Sequence, residues 1–181
     1  AGSKDTAKMT VKFSPEYTKM SFDGGGKIQS TAGKQDRWLV SNFKFHIDGL
    51  DTTRVNKIEA LVIKQKVLEH PEGERDYQKE PGSVETPNLV ITFPESSSKD
   101  FYQWHEDFVI KGNNGQDKEK SGTLTFLAPN LQDALFTLSF FNLGIFKLEP
   151  EPDVTGFGRI RRIKAEMYCE EIKFNYHTTS A

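Results

Sequence analysis

Four histidines, a single cysteine, a triple glycine and a few paired acids are the positions in this chain of 181 residues where chemistry could reside. Histidine binds metals or moves protons when its spacing brings ligands together. His46, His70, His105 and His177 fall on a strand pattern, in a polar stretch, on a helical pattern and near the C-terminus, with no HExxH or Cys/His spacing. No metal site is expected, and His105 reads as a partly buried helical residue. A nucleophilic cysteine needs a depressed pKa, whereas Glu170 and Glu171 beside Cys169 would raise it. Cys169 reads as a small core residue, and no serine lies in a GxSxG turn. Gly24-Gly25-Gly26 lacks the Lys-Ser/Thr that follows a phosphate-binding loop and reads as a flexible joint. The acid pairs Glu170/Glu171 and Glu149/Glu151 could serve as acid and base, but such spacing is ordinary on solvated strands and turns. The basic run Arg159-Ile160-Arg161-Arg162-Ile163-Lys164 puts Arg162 and Lys164 on one face of a strand and Arg159 and Arg161 on the other. No ladder of exposed aromatics accompanies it, so it suits interface ion pairs better than nucleic acid. The expectation is a protein without catalysis and without a cofactor.

Bulk properties agree. Lys plus Arg number 24 against 26 Asp plus Glu, so a net charge of −2 provides no field to recruit nucleic acid or an anionic membrane. A lone cysteine excludes an intramolecular disulfide and fits a reducing compartment. No apolar run approaches the roughly 20 residues of a membrane helix, and Ala1-Gly2-Ser3-Lys4 lacks a signal peptide's hydrophobic stretch. The expectation is a protein soluble where it is made.

The elements that would position these residues are mostly strands. Residues 1–36 are polar and glycine-containing, with Met9, Val11 and Phe13 alternating briefly, and are expected to form an N-terminal arm. Residues 37–181 are expected to form one domain. Phe43, Phe45 and Ile47 alternate with Lys44, His46 and Asp48 up to Gly49, as in a half-buried strand. Val55–Leu68 is a second extended run, apolar on both faces near its middle and therefore expected to be covered on two sides. Glu69–Asn88 carries Pro71, Gly73, Pro81, Gly82 and Pro87 among many charges, and reads as a long loop or solvent-reaching hairpin. Leu89–Phe93 is a short strand. Ser97-Ser98-Lys99-Asp100 resembles a capping box, and Phe101, Trp104, His105 and Phe108 form one face of a helix that stops at Gly112. Extended runs follow at Ser121–Leu127, Leu135–Leu148 and Arg159–Tyr176. In the last, Ile163, Ala165, Met167 and Cys169 share one face and Tyr168, Ile172, Phe174 and Tyr176 the other, so the apolar face changes near Glu170, as where a strand bends or passes from one sheet to another. The predicted fold is mainly β, a sandwich or barrel of six to seven strands with one flanking α-helix.

The order of these signals from about Asn42 to Tyr176 resembles the tail-tube protein family of contractile bacteriophages and contractile injection systems. The resemblance runs through Asn42-Phe43-Lys44-Phe45-His46-Ile47-Asp48-Gly49, Lys79-Glu80-Pro81-Gly82, Asn88-Leu89-Val90-Ile91-Thr92 and Phe101-Tyr102-Gln103-Trp104. It continues through Ser121-Gly122-Thr123-Leu124, Leu138–Leu148 and Ala165–Phe174. Asn142-Leu143-Gly144 stands where that family commonly has Asn-aromatic-Pro, and Asp51–Val55 is a longer insert than usual.

The resemblance implies a structural subunit that assembles into hexameric rings stacked as the inner tube of a phage tail or contractile injection system. Its partners would be copies of itself and the surrounding sheath, baseplate and tube-terminating proteins. The lumen would pass DNA or effector proteins, and the subunit would bind no membrane. It would be made in the bacterial cytoplasm and reside in the virion tail or injection particle. Within that reading Tyr77, Lys79, Pro81 and Gly82 are the expected inter-ring contacts, and Phe13, Arg159, Arg161 and Arg162 the expected contacts between subunits. The alternative is a monomeric β-sandwich module that binds sugar or peptide on Trp38, Tyr102 or Trp104. A lipocalin-like carrier or enzyme is weaker still, for want of a polar constellation to orient a reacting group.

Overall fold

The computed structural model describes residues 9–20, 22, 39–71, 73, 78–151 and 160–177. The triple glycine, Trp38, Tyr77 and Arg159 lie outside the described residues, as do most of residues 1–36. The strands are β1 (Phe43–Ile47), β2 (Lys57–Ile58), β3 (Lys64–His70), β4 (Gln78–Glu85), β5 (Leu89–Pro94), β6 (Lys120–Leu127), β7 (Ala134–Pro150) and β8 (Arg162–Tyr176). Six of them form one antiparallel sheet in the order β1-β6-β7-β8-β5-β2, and β3 and β4 form a separate hairpin.

That order makes the sheet curl. β1 and β2 are its two opposite edges, and a flat sheet of six strands would hold them about 24 Å apart, at about 4.8 Å per strand. Residues 48–56 join them without extending. Gly49 takes φ +72°, where a Cβ would be strained, and Leu50 N–H and Val55 N–H close turns onto Ile47 O and Thr52 O. Leu50, Thr52 and Val55 are buried, with the Thr52 hydroxyl donating to Phe45 O at 2.8 Å. The expectation of a mainly β sandwich or barrel with one flanking helix holds, its six main strands forming one curled sheet.

The core fills the curl. Ile47, Leu89, Ile91, Phe93, Phe140, Leu143, Ile145, Ile163 and Met167 are almost wholly buried. The helix α1 (Lys99–His105) sets Phe101 against Phe93 with ring centroids 4.3 Å apart. Trp104 and Phe108 extend the apolar stripe, and the chain turns off at Gly112 (φ +73°). Two local expectations fail here. Ser98 has helical backbone angles and its hydroxyl donates to Glu95 O at 2.6 Å, so no capping box forms; a 3₁₀ turn at Glu95–Ser97 has already begun the winding. Glu106–Ile110 is a π turn, with Lys111 N–H reaching Glu106 O at 2.9 Å.

The face change near Glu170 does occur, as a bend within one sheet and not a passage between two, and β7 shares it. Buried positions on β7 run Phe136, Leu138, Phe140 and then Leu143, Ile145, while on β8 they run Ile163, Ala165, Met167, Cys169, with Ile172 then packed on the core. At the step between stands Asn142 with φ +54°, a conformation asparagine tolerates better than most residues, and its amide donates to Glu170 Oε2 at 2.6 Å.

The run Val55–Leu68 corrects the reading made from its pattern. It leaves the sheet after Ile58, with Val62 56 % exposed, and β3 has no buried residue, Leu68 being 50 % exposed. Apolar residues on both faces imply cover on both sides, but the described residues do not supply it.

Candidate functional site

The described residues assemble no catalytic constellation. His46 meets Asp48 at 3.2 Å, His70 meets Glu80 at 3.4 Å and His177 meets the Thr137 hydroxyl at 3.0 Å, each on the surface and each apart from the others. Among the described residues no group of three or more His, Cys, Asp or Glu could hold a metal. Burial pushes the Cys169 thiol above its ordinary pKa, and Sγ lies 3.1 Å from Glu171 O. Trp104 is core, which removes the central platform of a stacking site, and Tyr102 is exposed.

What the fold leaves open is backbone and apolar surface. β1 has one ladder partner, β6, and β5 pairs with β8 only from Leu89↔Met167 to Pro94↔Arg162. Among the described residues, β8 therefore has one ladder partner, β7, from Tyr168 to Asn175. An edge of this length is a template for another strand. At its end Phe174 is 51 % exposed, 5.8 Å from Phe136, which in turn stacks on Phe126 at 6.1 Å.

The second open feature is the hairpin. Two strands alone are marginally stable in water, and β3 and β4 turn Val67, Leu68 and Val84 outward. Pro81 lies in β4 opposite Val67, where a strand with a free edge tolerates its missing N–H. Gly82 and Ser83 together oppose Lys66 in a β-bulge, and a Cβ on Gly82 would press on Lys66 O at 3.1 Å. Of the other expected contact residues, Lys79 is half-buried, because Ser14, Pro15 and Glu16 close over it. Phe13 is 86 % exposed. Arg161 and Arg162 stand at the start of β8, at the opposite end from its open edge, with Arg162 at 4.0 Å from Glu151. Sequence reasoning missed the aromatic group Phe126, Phe136 and Phe174; alternation in each strand was visible, but not that the ladder would line them up.

Tyr168 fastens the curl through both an apolar and a polar contact. Its ring lies across Gly144, its ladder partner, and near Phe108, and its hydroxyl donates to Glu119 Oε1 at 2.7 Å. Burial first, then the bond and the charge of Glu119, push its pKa from 10.0 to about 12. A raised folded-state pKa means the stability it contributes is whole below pH 10 and is lost as pH rises toward 12. One of the five tyrosines is thus expected to titrate late by tyrosinate absorbance, and Tyr168→Phe should remove that late step along with the associated fall in thermal stability.

Residues 40–178 match the family described as T4-like virus tail tube protein gp19. No curated protein sequence matches the chain significantly. Among solved structures, the chain is similar to one from the cryo-EM structure of an extracellular contractile injection system, the PVC sheath–tube complex in the extended state. Identity there is 18 %, the TM-score 0.60, and the match covers 76 % of this chain and 90 % of that one. It is also similar to the tube-terminating cap of the anti-feeding prophage, at 16 % identity and a TM-score of 0.67, covering 84 % of this chain and all (100 %) of that one. At these identities the likeness shows a shared fold.

Proposed function

The chain belongs to the T4-like virus tail tube protein family and is a structural subunit of a tube, and from that premise we propose that its rings are hexameric and stack as the inner tube of a phage tail or contractile injection system. The observation that carries the reading is the hairpin β3–β4, which the chain's own core does not cover. It reaches an adjacent ring through Tyr77, Lys79, Pro81 and Gly82. Within a ring, the open edge of β1 in one subunit meets the Tyr168–Asn175 edge of the next, a head-to-tail contact that closes by rotation. Phe13, Arg161, Arg162 and Arg159 add contacts between subunits. Residues 1–36 act as an arm on the single domain 37–181. The sheath–tube, baseplate and cap assemblies in which similar chains occur support a sheath, a baseplate and a terminator as partners. The subunit is made in the bacterial cytoplasm, works in the virion or injection particle and catalyses nothing.

Concentrated protein is expected to give rings and tubes in negative-stain images, with matching masses by size-exclusion light scattering. Phe174→Asp should leave a folded monomer, because Phe174 is half exposed in the single chain, yet should abolish rings by placing a charge at the edge contact. Wild-type protein that stays a lone globule at every concentration would overturn the reading.

A further inference from the structure

The arm and the hairpin meet at one polar point. The Lys79 backbone N–H on β4 donates to Glu16 Oε1 at 2.9 Å, and its ammonium donates to Ser14 Oγ at 3.2 Å and Pro15 O at 3.1 Å, with Glu69 at 3.7 Å. An outward N–H of a two-stranded hairpin is where a further strand would pair, so Glu16 caps an open edge. The rest of the segment is not seated: Tyr17 and Met20 are exposed, and Phe22 is 89 % so. Three surface hydrogen bonds do not offset the entropy of ordering a dozen residues, and burying Tyr17, Met20 and Phe22 would narrow that deficit. The hairpin offers matching surface in Val67, Leu68 and Val84.

We propose that Ser14–Glu16 is an exchangeable latch, closed on Lys79 of the same chain in the free subunit and on Lys79 of a neighbouring copy in the tube. The proposal rests on the tube reading above. Because the polar contacts are the same in both states, exchange costs nothing at the latch. It is driven by the apolar surface that arm and hairpin cover once several copies are close together. Covalent geometry permits it: residues 23–38 can span up to about 55 Å, while a compact domain of this length has a radius of gyration of about 16 Å.

Ser14→Cys and Gln78→Cys subunits test this with a short bismaleimide, the native thiol being buried. In the doubly substituted free subunit, the adduct should be intrachain. When the two single variants are mixed and assembled, interchain dimers should form, at least about tenfold more than in the unassembled mixture, as the raised local concentration requires. Tubes of the mixture without interchain adduct, alongside intrachain adduct in doubly substituted tubes, would overturn the latch alone. Failure of wild-type protein to form tubes at all would overturn the latch and the tube reading together.

Discussion

Replacing residues 65–84 with a two-residue Asn-Gly turn is expected to leave a folded subunit, or isolated rings, that never forms tubes. Lys64 and Glu85 are ladder partners, so the cut ends already lie about 5 Å apart and a tight turn closes them without strain. Little stability should be lost, because β3 buries nothing and most of β4 is exposed. A midpoint within a few degrees of wild type is expected, since about 1 kcal/mol shifts a chain of this size by roughly 2–4 °C. The loss should appear entirely in negative-stain images and sedimentation. Long tubes of ordinary appearance from the shortened chain would remove the hairpin from the assembly mechanism, and a collapsed midpoint would show that the hairpin serves the fold.

Gly144→Ala is expected to be among the most damaging single methyl additions to the sheet. An added Cβ would fall inside the Tyr168 ring, and the ring would have to swing away from Phe108 and Glu119. Overpacking costs about 1–3 kcal/mol. Loss of the hydroxyl bond leaves the Glu119 carboxyl, whose Oε2 is already buried without a partner, with nothing to satisfy it, at about 1–3 kcal/mol more. A total near 3 kcal/mol corresponds to a drop of roughly 6–12 °C in the thermal midpoint. Tyr168→Ala in the Gly144→Ala background should cost less than the two changes summed, by more than about 1 kcal/mol in a double-mutant cycle. Additive effects would mean that the ring and the glycine do not share the constraint.

Much of the architecture was legible because its signals are local. Phe43, Phe45 and Ile47 show a period of two, and Phe101, Trp104 and Phe108 a helical stripe, because burial on one face selects residues at the repeat of the element itself. The bend near Glu170 was legible for the same reason: the apolar parity changes within one strand. Ser98 misled because a capping serine and a serine inside a 3₁₀ turn look alike in sequence and differ only in backbone angles. Val62, Ile63, Val67 and Leu68 misled for a more instructive reason. Two-sided apolar pattern reports that a surface is to be covered, and it carries no mark of whether the cover comes from the same chain.

From the amino acids alone follow a strand-rich body, one helix, a polar projecting segment and the lack of any spacing suited to catalysis, since each depends on neighbours within about a dozen positions. The folded chain alone reveals that β1 and β2 are opposite edges of a curled sheet, that β8 runs past the end of β5 to leave an edge open, and that Glu16 closes on Lys79. Those features are pairings between distant positions, and hydrophobic periodicity specifies which face of a strand is buried without specifying which strand lies beside it.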